Sequence, residues 1–303
     1  MKIKFEKMQT LGNDFVLLDL RQTQSGKSAQ TDAVYDAFSD MRTLAPRLCH
    51  RRTGIGADGV LTVESSPDAD AKMRIFNADG SEAELCGNGL RCVVKKIADA
   101  PESKKSAFSV QTACGIKRAR VTRVGGTVKN VCVETGKANF APSSVHTAPG
   151  TSTASTPTNQ TASNACTQVS ATFGKKRFTV ACLSVGNPHC VVFCKDCLDE
   201  FDESAAAISQ SPFFSRGTNV EFVRFDSPKK LTMRVFERGC GETASCGTGA
   251  CAVVAAAVAT GRVAENSWIE VHTKGGCLLV KQRKGVLYLS GDASYVFTGE
   301  IRL

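Results

Sequence analysis

Two short segments of the 303-residue chain hold the residue types for proton transfer: Cys86-Gly87-Asn88-Gly89 and Cys246-Gly247-Thr248-Gly249. Each follows a strand-like run and a short loop, and each is predicted to open a helix. A thiol placed there lies beside backbone N–H groups with no intrahelical partner, and the positive end of the helix dipole favours a thiolate. A free cysteine near pKa 8.5 is only a few per cent ionised at neutral pH, whereas such positions bring it to roughly 3.5–7.5. The glycines let a ligand approach the backbone closely, and the same N–H groups can hold a carboxylate. One thiolate can then remove the α-proton of an amino acid from one face while a second thiol delivers a proton to the other. That is two-base racemase or epimerase chemistry. A cysteine protease or acyltransferase needs one nucleophile with a histidine partner, so a duplicated thiol has no purpose there. The structural alternative is a glycine turn with a buried cysteine at each helix start. One motif alone would favour that alternative; the matched pair does not.

The pairing is part of a longer repeat. Met73-Arg74-Ile75-Phe76 matches Met233-Arg234-Val235-Phe236 at an offset of 160 residues, and without a gap the same offset brings Glu82 onto Glu242, Cys86 onto Cys246 and Gly89 onto Gly249. Upstream, Gly12-Asn13 matches Gly186-Asn187 at an offset of 174. Two motifs in the same order in each half argue for duplication into two similar lobes. A pseudo-twofold relation would bring the two helix starts face to face across a cleft.

The elements that must position these thiols are mostly short strands. Strand-like runs cover 3–9, 14–20, 59–64, 72–77, 107–113, 128–134, 177–185, 189–194, 219–225, 231–236, 267–273 and 277–281, separated by glycine turns. Helices are expected over 31–50, 87–99, 201–209 and 247–262. The last is rich in Ala and Val all round, so it should be buried. The predicted fold class is α+β: two pseudo-symmetric lobes, each a mostly antiparallel sheet or barrel wrapped around a central helix. Residues 1–134 make the first lobe, to which a last strand over 292–303 returns. Residues 135–291 make the second. No charged residue occurs from Ala138 to Gly174, and residues 141–174, rich in Ser, Thr, Ala and Pro, read as an inserted low-complexity loop with no catalytic role.

Composition excludes several classes. No apolar run reaches the ~18 residues of a membrane span. The start of the chain has neither signal-peptide nor transit character, so the expected address is cytoplasmic. A net charge of +9 invites nucleic acid, but the basic residues are scattered pairs such as Lys95-Lys96 and Lys175-Lys176, and no nucleic-acid partner is expected. Fourteen cysteines in such a chain favour free thiols over a disulfide framework. Cys132, Cys182 and Cys277 lie in or beside strand-like runs and read as inert small hydrophobes. Gly54-Ile55-Gly56-Ala57-Asp58-Gly59 spells a dinucleotide fingerprint, yet a strand follows it where a helix is required; it reads as a glycine turn. Cys190, Cys194 and Cys197 have an iron–sulfur-like spacing, but Val191-Val192-Phe193 between the first two looks like a buried strand. No metal site is predicted.

These residues resemble diaminopimelate epimerase over nearly the whole chain outside the 141–174 insertion. The segments behind the resemblance are Leu11-Gly12-Asn13-Asp14-Phe15, Phe76-Asn77-Ala78-Asp79-Gly80-Ser81-Glu82, Gly186-Asn187-Pro188-His189-Cys190, Glu237-Arg238-Gly239 through Glu242-Thr243, and the two Cys-Gly-x-Gly starts. The resemblance implies a cofactor-independent epimerase that converts LL-2,6-diaminopimelate to the meso form. It implies that Cys86 and Cys246 are the acid–base pair and that His189 and Glu237 help to set their protonation. It implies that Asn13, Asn77, Asn187, Asn219 and Arg238 bind substrate, and that Gly87, Asn88, Gly247 and Thr248 offer N–H groups to the reacting carboxylate. On the residues alone, His189 is equally a packed histidine at a strand start. One position that is Gln in some relatives is Gly59 here. Competing readings are a proline or hydroxyproline racemase of the same fold, and a non-enzymatic cysteine-rich binding protein. The partner expected is a small dicarboxylic diamino acid, with room for a homodimer and no membrane contact.

Overall fold

The protein is described here by a computed structural model that covers residues 2–21, 40–145, 168–196 and 198–302. It divides into two compact units. Met1–Val133 and Gly291–Leu303 form the first, and Glu134–Ser290 the second.

In the first unit the strands are β1 (Lys2–Thr10), β2 (Asn13–Asp19), β3 (Gly59–Glu64), β4 (Ala71–Asn77), β5 (Glu82–Ala83), β6 (Ala107–Thr112), β7 (Gly115–Val124) and β8 (Thr127–Lys137). Helix α1 (Met41–Cys49) lies between β2 and β3, and helix α2 (Gly87–Ala98) between β5 and β6. Strands β2 and β3 run parallel, as do β4 and β6, because a helix crosses over between the members of each pair. The other neighbours are antiparallel, and the chain's last strand, Ser294–Arg302, pairs with β1. Helix α1 buries Met41, Leu44, Ala45, Leu48 and Cys49, the single face that its spacing dictates. Asp40 caps it by accepting from the Thr43 amide. Of the helix expected over 31–50, residues 31–39 lie outside the described residues.

The second unit repeats this order. Its strands are β9 (Gln168–Phe173), β10 (Lys176–Ser184), β11 (Pro188–Phe193), β12 (Asn219–Ser227), β13 (Lys230–Glu237), β14 (Gly241–Thr243), β15 (Ile269–Thr273), β16 (Gly276–Arg283) and β17 (Val286–Gly291). Helix α3 (Phe201–Ser209) lies between β11 and β12, and α4 (Gly247–Ala259) between β14 and β15. Strands β11 and β12 are parallel, as are β13 and β15. Strand by strand, β10–β17 reproduce the pairings of β1–β8, and β9 pairs with β10 as the last strand pairs with β1. The architecture is the duplicated α+β fold. Helix α4 is buried over Ala250–Ala257 without a polar face, as an all-apolar helix must be when sheet strands wrap it.

Several differences from the sequence reading have local causes. Strand β7 alternates charged and small residues and offered little apolar signal. The low-complexity segment is shorter than 141–174 at both ends: Pro142–Val145 forms a 3-10 turn, Gln168–Phe173 is strand β9, and Val145 and Phe173 are buried. Residues 146–167 and Cys197 lie outside the described residues. Cys182 is buried as expected, whereas Cys277 is exposed on β16. Among the described residues, no helix is long and apolar enough to cross a membrane.

Gly80 occupies a turn that only glycine fits. Its φ is +87°, and a Cβ would collide with the Arg42 carbonyl. The same turn joins the Asn77 amide to the Ser81 carbonyl. Gly80→Ala is expected to cost about 2 kcal/mol or more, measured as a lower midpoint in urea with an unchanged slope.

Candidate active site

The two thiols are set alike in their own units. Cys86 (φ −132°, ψ 117°) is the residue that caps α2, and Cys246 (φ −124°, ψ 118°) caps α4. Each sulfur accepts from the amide three residues on, Gly89 or Gly249, at 3.4 Å. Caps are ordinarily Ser, Thr, Asp or Asn, so cysteine at both suggests a use for the sulfur. Glycine is needed at the third position. A Cβ on Gly89 would lie 2.8 Å from Leu61 Cδ2, and one on Gly249 2.7 Å from Glu221 Oε1.

In the first unit a hydrogen-bond chain leads inward from Asn13. Its amide nitrogen donates to Asp58 Oδ2 at 2.8 Å, and its Oδ1 accepts from Asn88 Nδ2 at 3.1 Å. Asn88 Oδ1 in turn accepts from Arg91 Nη2 at 2.9 Å. Arg91 is wholly buried and also donates to Thr10 Oγ1 and the Asp292 carbonyl. A charge that deep must be paired or hydrogen-bonded, and these acceptors fix the orientation of Asn88 and through it Asn13. On the other side, Asp14 bridges Lys7 at 2.6 Å and Arg51 at 2.9 Å. Burial would raise the Asp14 carboxyl, but the Arg51 and Lys7 bonds outweigh it and hold it at about 2. Asn77 is exposed at the end of β4, bonded to Ser81 Oγ. Gly59 begins β3 where a Cβ would lie 2.8 Å from the Phe76 carbonyl, so the backbone leaves no room for a side chain there.

In the second unit Cys246 lies among polar groups. Thr248 Oγ1 is 3.4 Å from its sulfur, and Glu237 shares a hydrogen bond with it. Glu237 also accepts from Thr243 Oγ1 at 2.6 Å. His189 is fully buried, with Nδ1 2.7 Å from Glu221 Oε1 and Nε2 2.9 Å from Asn187 Oδ1. Asn219 donates to the Pro188 carbonyl and accepts from the Arg238 amide, each at 2.9 Å. The Arg238 side chain lines a cavity of about 390 Å³ with Gly217, Phe236, Gly239 and Gly241, and Nη1 donates to the Arg216 carbonyl at 3.0 Å.

Helix-end geometry predicts a lowered thiol pKa, and at Cys246 the outcome is the reverse. Burial comes first, then the Glu237 and Glu221 charges, and together they push this thiol well up against the pull of Thr248 and the Gly249 amide. Burial also raises the Glu237 carboxyl, although its hydrogen bonds to Thr243 and Cys246 oppose this. The desolvation of an anion here exceeds what one helix end returns.

The structure thus brings Cys86, Gly87, Asn88, Asn13 and Asn77 to one region of the first unit. It brings Cys246, Gly247, Thr248, Glu237, Arg238, Asn187, His189 and Asn219 to one region of the second. Sequence reasoning missed Arg91, Asp58 and Glu221, which act through other side chains. Arg91 follows Asn88 by three residues in a helix, which is the one spacing signal that it had. For a metal, one group among the described residues has the ligand types: Glu270, His272 and Cys277, with atoms within 4.8 Å of one another on the β15–β16 hairpin, apart from both thiols. Cys190 lies buried in β11, which makes it part of the core.

The same fold occurs in solved structures of low sequence identity. A probable proline racemase from Agrobacterium radiobacter K84 matches with a TM-score of 0.66 at 15% identity, over 99% of this chain and 93% of that one. A phenazine biosynthesis protein of the PhzF family from Bacillus anthracis matches with a TM-score of 0.66 at 14% identity, over 100% of both chains. This chain has that fold, with a cysteine capping the equivalent helix of each duplicated half. The diaminopimelate epimerase family model matches residues 5–141 and 181–296. Diaminopimelate epimerases from Desulfitobacterium hafniense and Moorella thermoacetica are 39% and 38% identical, covering 97% and 99% of this chain and 96% and 99% of theirs. The chain belongs to the diaminopimelate epimerase family.

Asp14 permits a test of the Asn13 support. Its folded pKa of about 2 lies below the unfolded value near 3.8. Its contribution is therefore present above pH 4 and is lost as pH falls through about 2. Asp14→Asn is expected to lower stability at pH 7 by about 1–2 kcal/mol, discounted for partial exposure. The difference from the unsubstituted protein should shrink as pH falls below 4 and vanish only about a unit below pH 2, as read by thermal unfolding.

Proposed function

We propose that this protein inverts one α-carbon of LL-2,6-diaminopimelate to give the meso isomer, without a cofactor. Cys86 acts on one face of the α-carbon and Cys246 on the other. One sulfur takes the α-proton as a thiolate, the other gives a proton as a thiol, and their roles are exchanged when the product forms. The amides at the starts of α2 and α4, from Gly87, Asn88, Gly247 and Thr248, bind the reacting carboxylate and stabilise the charge it gains as the carbon ionises. Asn13, Asn77, Asn187 and Asn219 orient the substrate's polar groups. Arg238 pairs with the distal carboxylate through its planar fork. His189 and Glu237 tune the proton on Cys246. The observation behind this reading is the matched pair of cysteine caps, each with its sulfur 3.4 Å from a glycine amide, in a chain of this family.

A cytoplasmic address would keep the Cys86 and Cys246 thiols free, as they are here, although Cys194 is disulfide-bonded. We also propose a homodimer. The last strand leaves Tyr295, Val296 and Phe297 39%, 55% and 47% exposed, an apolar run on a strand whose one described partner is β1, and such an edge invites a second copy. Analytical ultracentrifugation should show a dimer that Phe297→Glu weakens.

Cys86→Ser and Cys246→Ser are each expected to lower kcat at least ~100-fold, the scale of a lost acid–base group, with folding intact by circular dichroism. Wild-type activity on proline instead of diaminopimelate would favour the racemase reading, and indifference of turnover to both substitutions would exclude the two-base reading. Arg238→Met is expected to raise KM for diaminopimelate about 10-fold or more, the loss of a charge-assisted pair.

A further inference from the structure

The two units share one plan, so positions where they differ in chemistry stand out. Beneath the start of α2 the residue pressing on Gly89 is Leu61. The residue 160 positions on, Glu221, presses on Gly249 beneath the start of α4. The adjoining strands, β2 and β11, differ in the same way at one equivalent position. In the first unit Phe15 pairs with Gly59, and in the second His189 pairs with Asn219. A hydrophobic pair, Phe15 and Leu61, thus holds the place that a buried histidine and carboxylate, His189 and Glu221, hold under Cys246.

A buried carboxylate is costly unless used, and replacing such a pair by packed hydrophobes is often neutral or stabilising. The first unit shows that apolar residues fit this place in the fold. Glu221 is fully buried and reaches His189 Nδ1 through Oε1, while Oε2 has no hydrogen-bond partner among the described residues. Both ring nitrogens face acceptor oxygens, Glu221 Oε1 and Asn187 Oδ1; a carboxylate only accepts, so Nδ1 donates to Glu221, and that bond fixes the ring.

We propose that Glu221 is a positioning residue that makes the two thiols inequivalent: it locks the His189 ring and sets a fixed negative charge beneath α4, so that the resting enzyme holds its proton on Cys246 and its thiolate on Cys86. This deepens, and rests on, the reading of both cysteines as the acid–base pair. Two carboxylates from two strands act on Cys246, Glu221 of β12 and Glu237 of β13, with the Thr248 hydroxyl and Gly249 amide from α4 itself, while His189 of β11 stands behind Glu221. The direction of the Cys246 shift, caused in part by Glu221, agrees with the geometry. No proton passes through Glu221. Its charge acts across the helix start, and the thiols alone exchange protons with substrate.

Glu221→Gln separates the two effects, since the amide oxygen still accepts from Nδ1 while the charge is gone. With the charge removed, Cys246 gives up its proton more readily. The high-pH limb of the kcat/KM profile, where Cys246 loses its proton, should therefore move to lower pH by about one unit, with KM for diaminopimelate within about threefold because Glu221 does not contact substrate. The double variant His189→Phe, Glu221→Leu installs the first unit's pair, and it should stay folded while kcat falls further than in Glu221→Gln. Imidazole 15N shifts of the unsubstituted enzyme should show Nδ1 of His189 protonated across the working pH range, a readout that needs no variant. An unmoved pH profile in folded Glu221→Gln, a double variant as active as wild type, or an unprotonated Nδ1 would each overturn the proposal. Wild-type enzyme inert toward diaminopimelate, or Cys246→Ser retaining full turnover, would instead overturn the reading beneath it.

Discussion

A sulfur accepting a hydrogen bond from the first turn of a helix is the interaction on which the remaining structure depends. It needs a strand that ends just before the helix, an extended cap residue, and glycine three positions on. Both units meet all three conditions, with cap angles that agree within 8° in φ and 1° in ψ. The crossovers that make β2 and β3 parallel, and β4 and β6 parallel, deliver the start of α2 to the region of Asn13 and Asn77. The same crossovers in the second unit deliver α4 to Asn187, Asn219 and Glu237.

Burial decides what each cap does. A helix end alone favours a thiolate, but the magnitudes favour desolvation wherever the sulfur is enclosed. Cys92, enclosed in the middle of the helix that Cys86 caps, is pushed up to about 12 by burial. At Cys246 two carboxylates add to burial. In the proposed mechanism, two chemically identical residues in duplicated surroundings are given different starting protonation by their neighbours.

Much of this was legible in the sequence. The 160-residue repeat predicted two lobes with the same plan, and the Cys-Gly-x-Gly starts predicted both helices to within a few residues. The fold class needed no more than that. Strands β7 and β9 were not legible, because an exposed charged face in the one and low-complexity surroundings in the other hide the alternation. The inner support was not legible either. Arg91 and Glu221 sit on an apolar helix face and in an apolar strand, where composition predicts only core; their partners are distant in sequence, at Thr10 and His189. The repeat did contain a signal for Glu221, since Leu61 stands at the equivalent place, but a single mismatch between diverged halves has no meaning until the packing around it is known. The direction of the Cys246 shift is hidden from the sequence for the same reason: a dipole can be inferred from a helix start, whereas enclosure by Glu221 and Glu237 cannot.

The central claim is that two different sulfurs handle the two protons. Epimerisation of LL-diaminopimelate in D₂O, sampled at low conversion by mass spectrometry after separation of the isomers, tests it most directly. Two bases predict one deuterium in the meso product and protium in the remaining LL substrate, because the incoming proton comes from a solvent-exchanged thiol. Protium in the product, returned by the same group that removed it, would contradict the account.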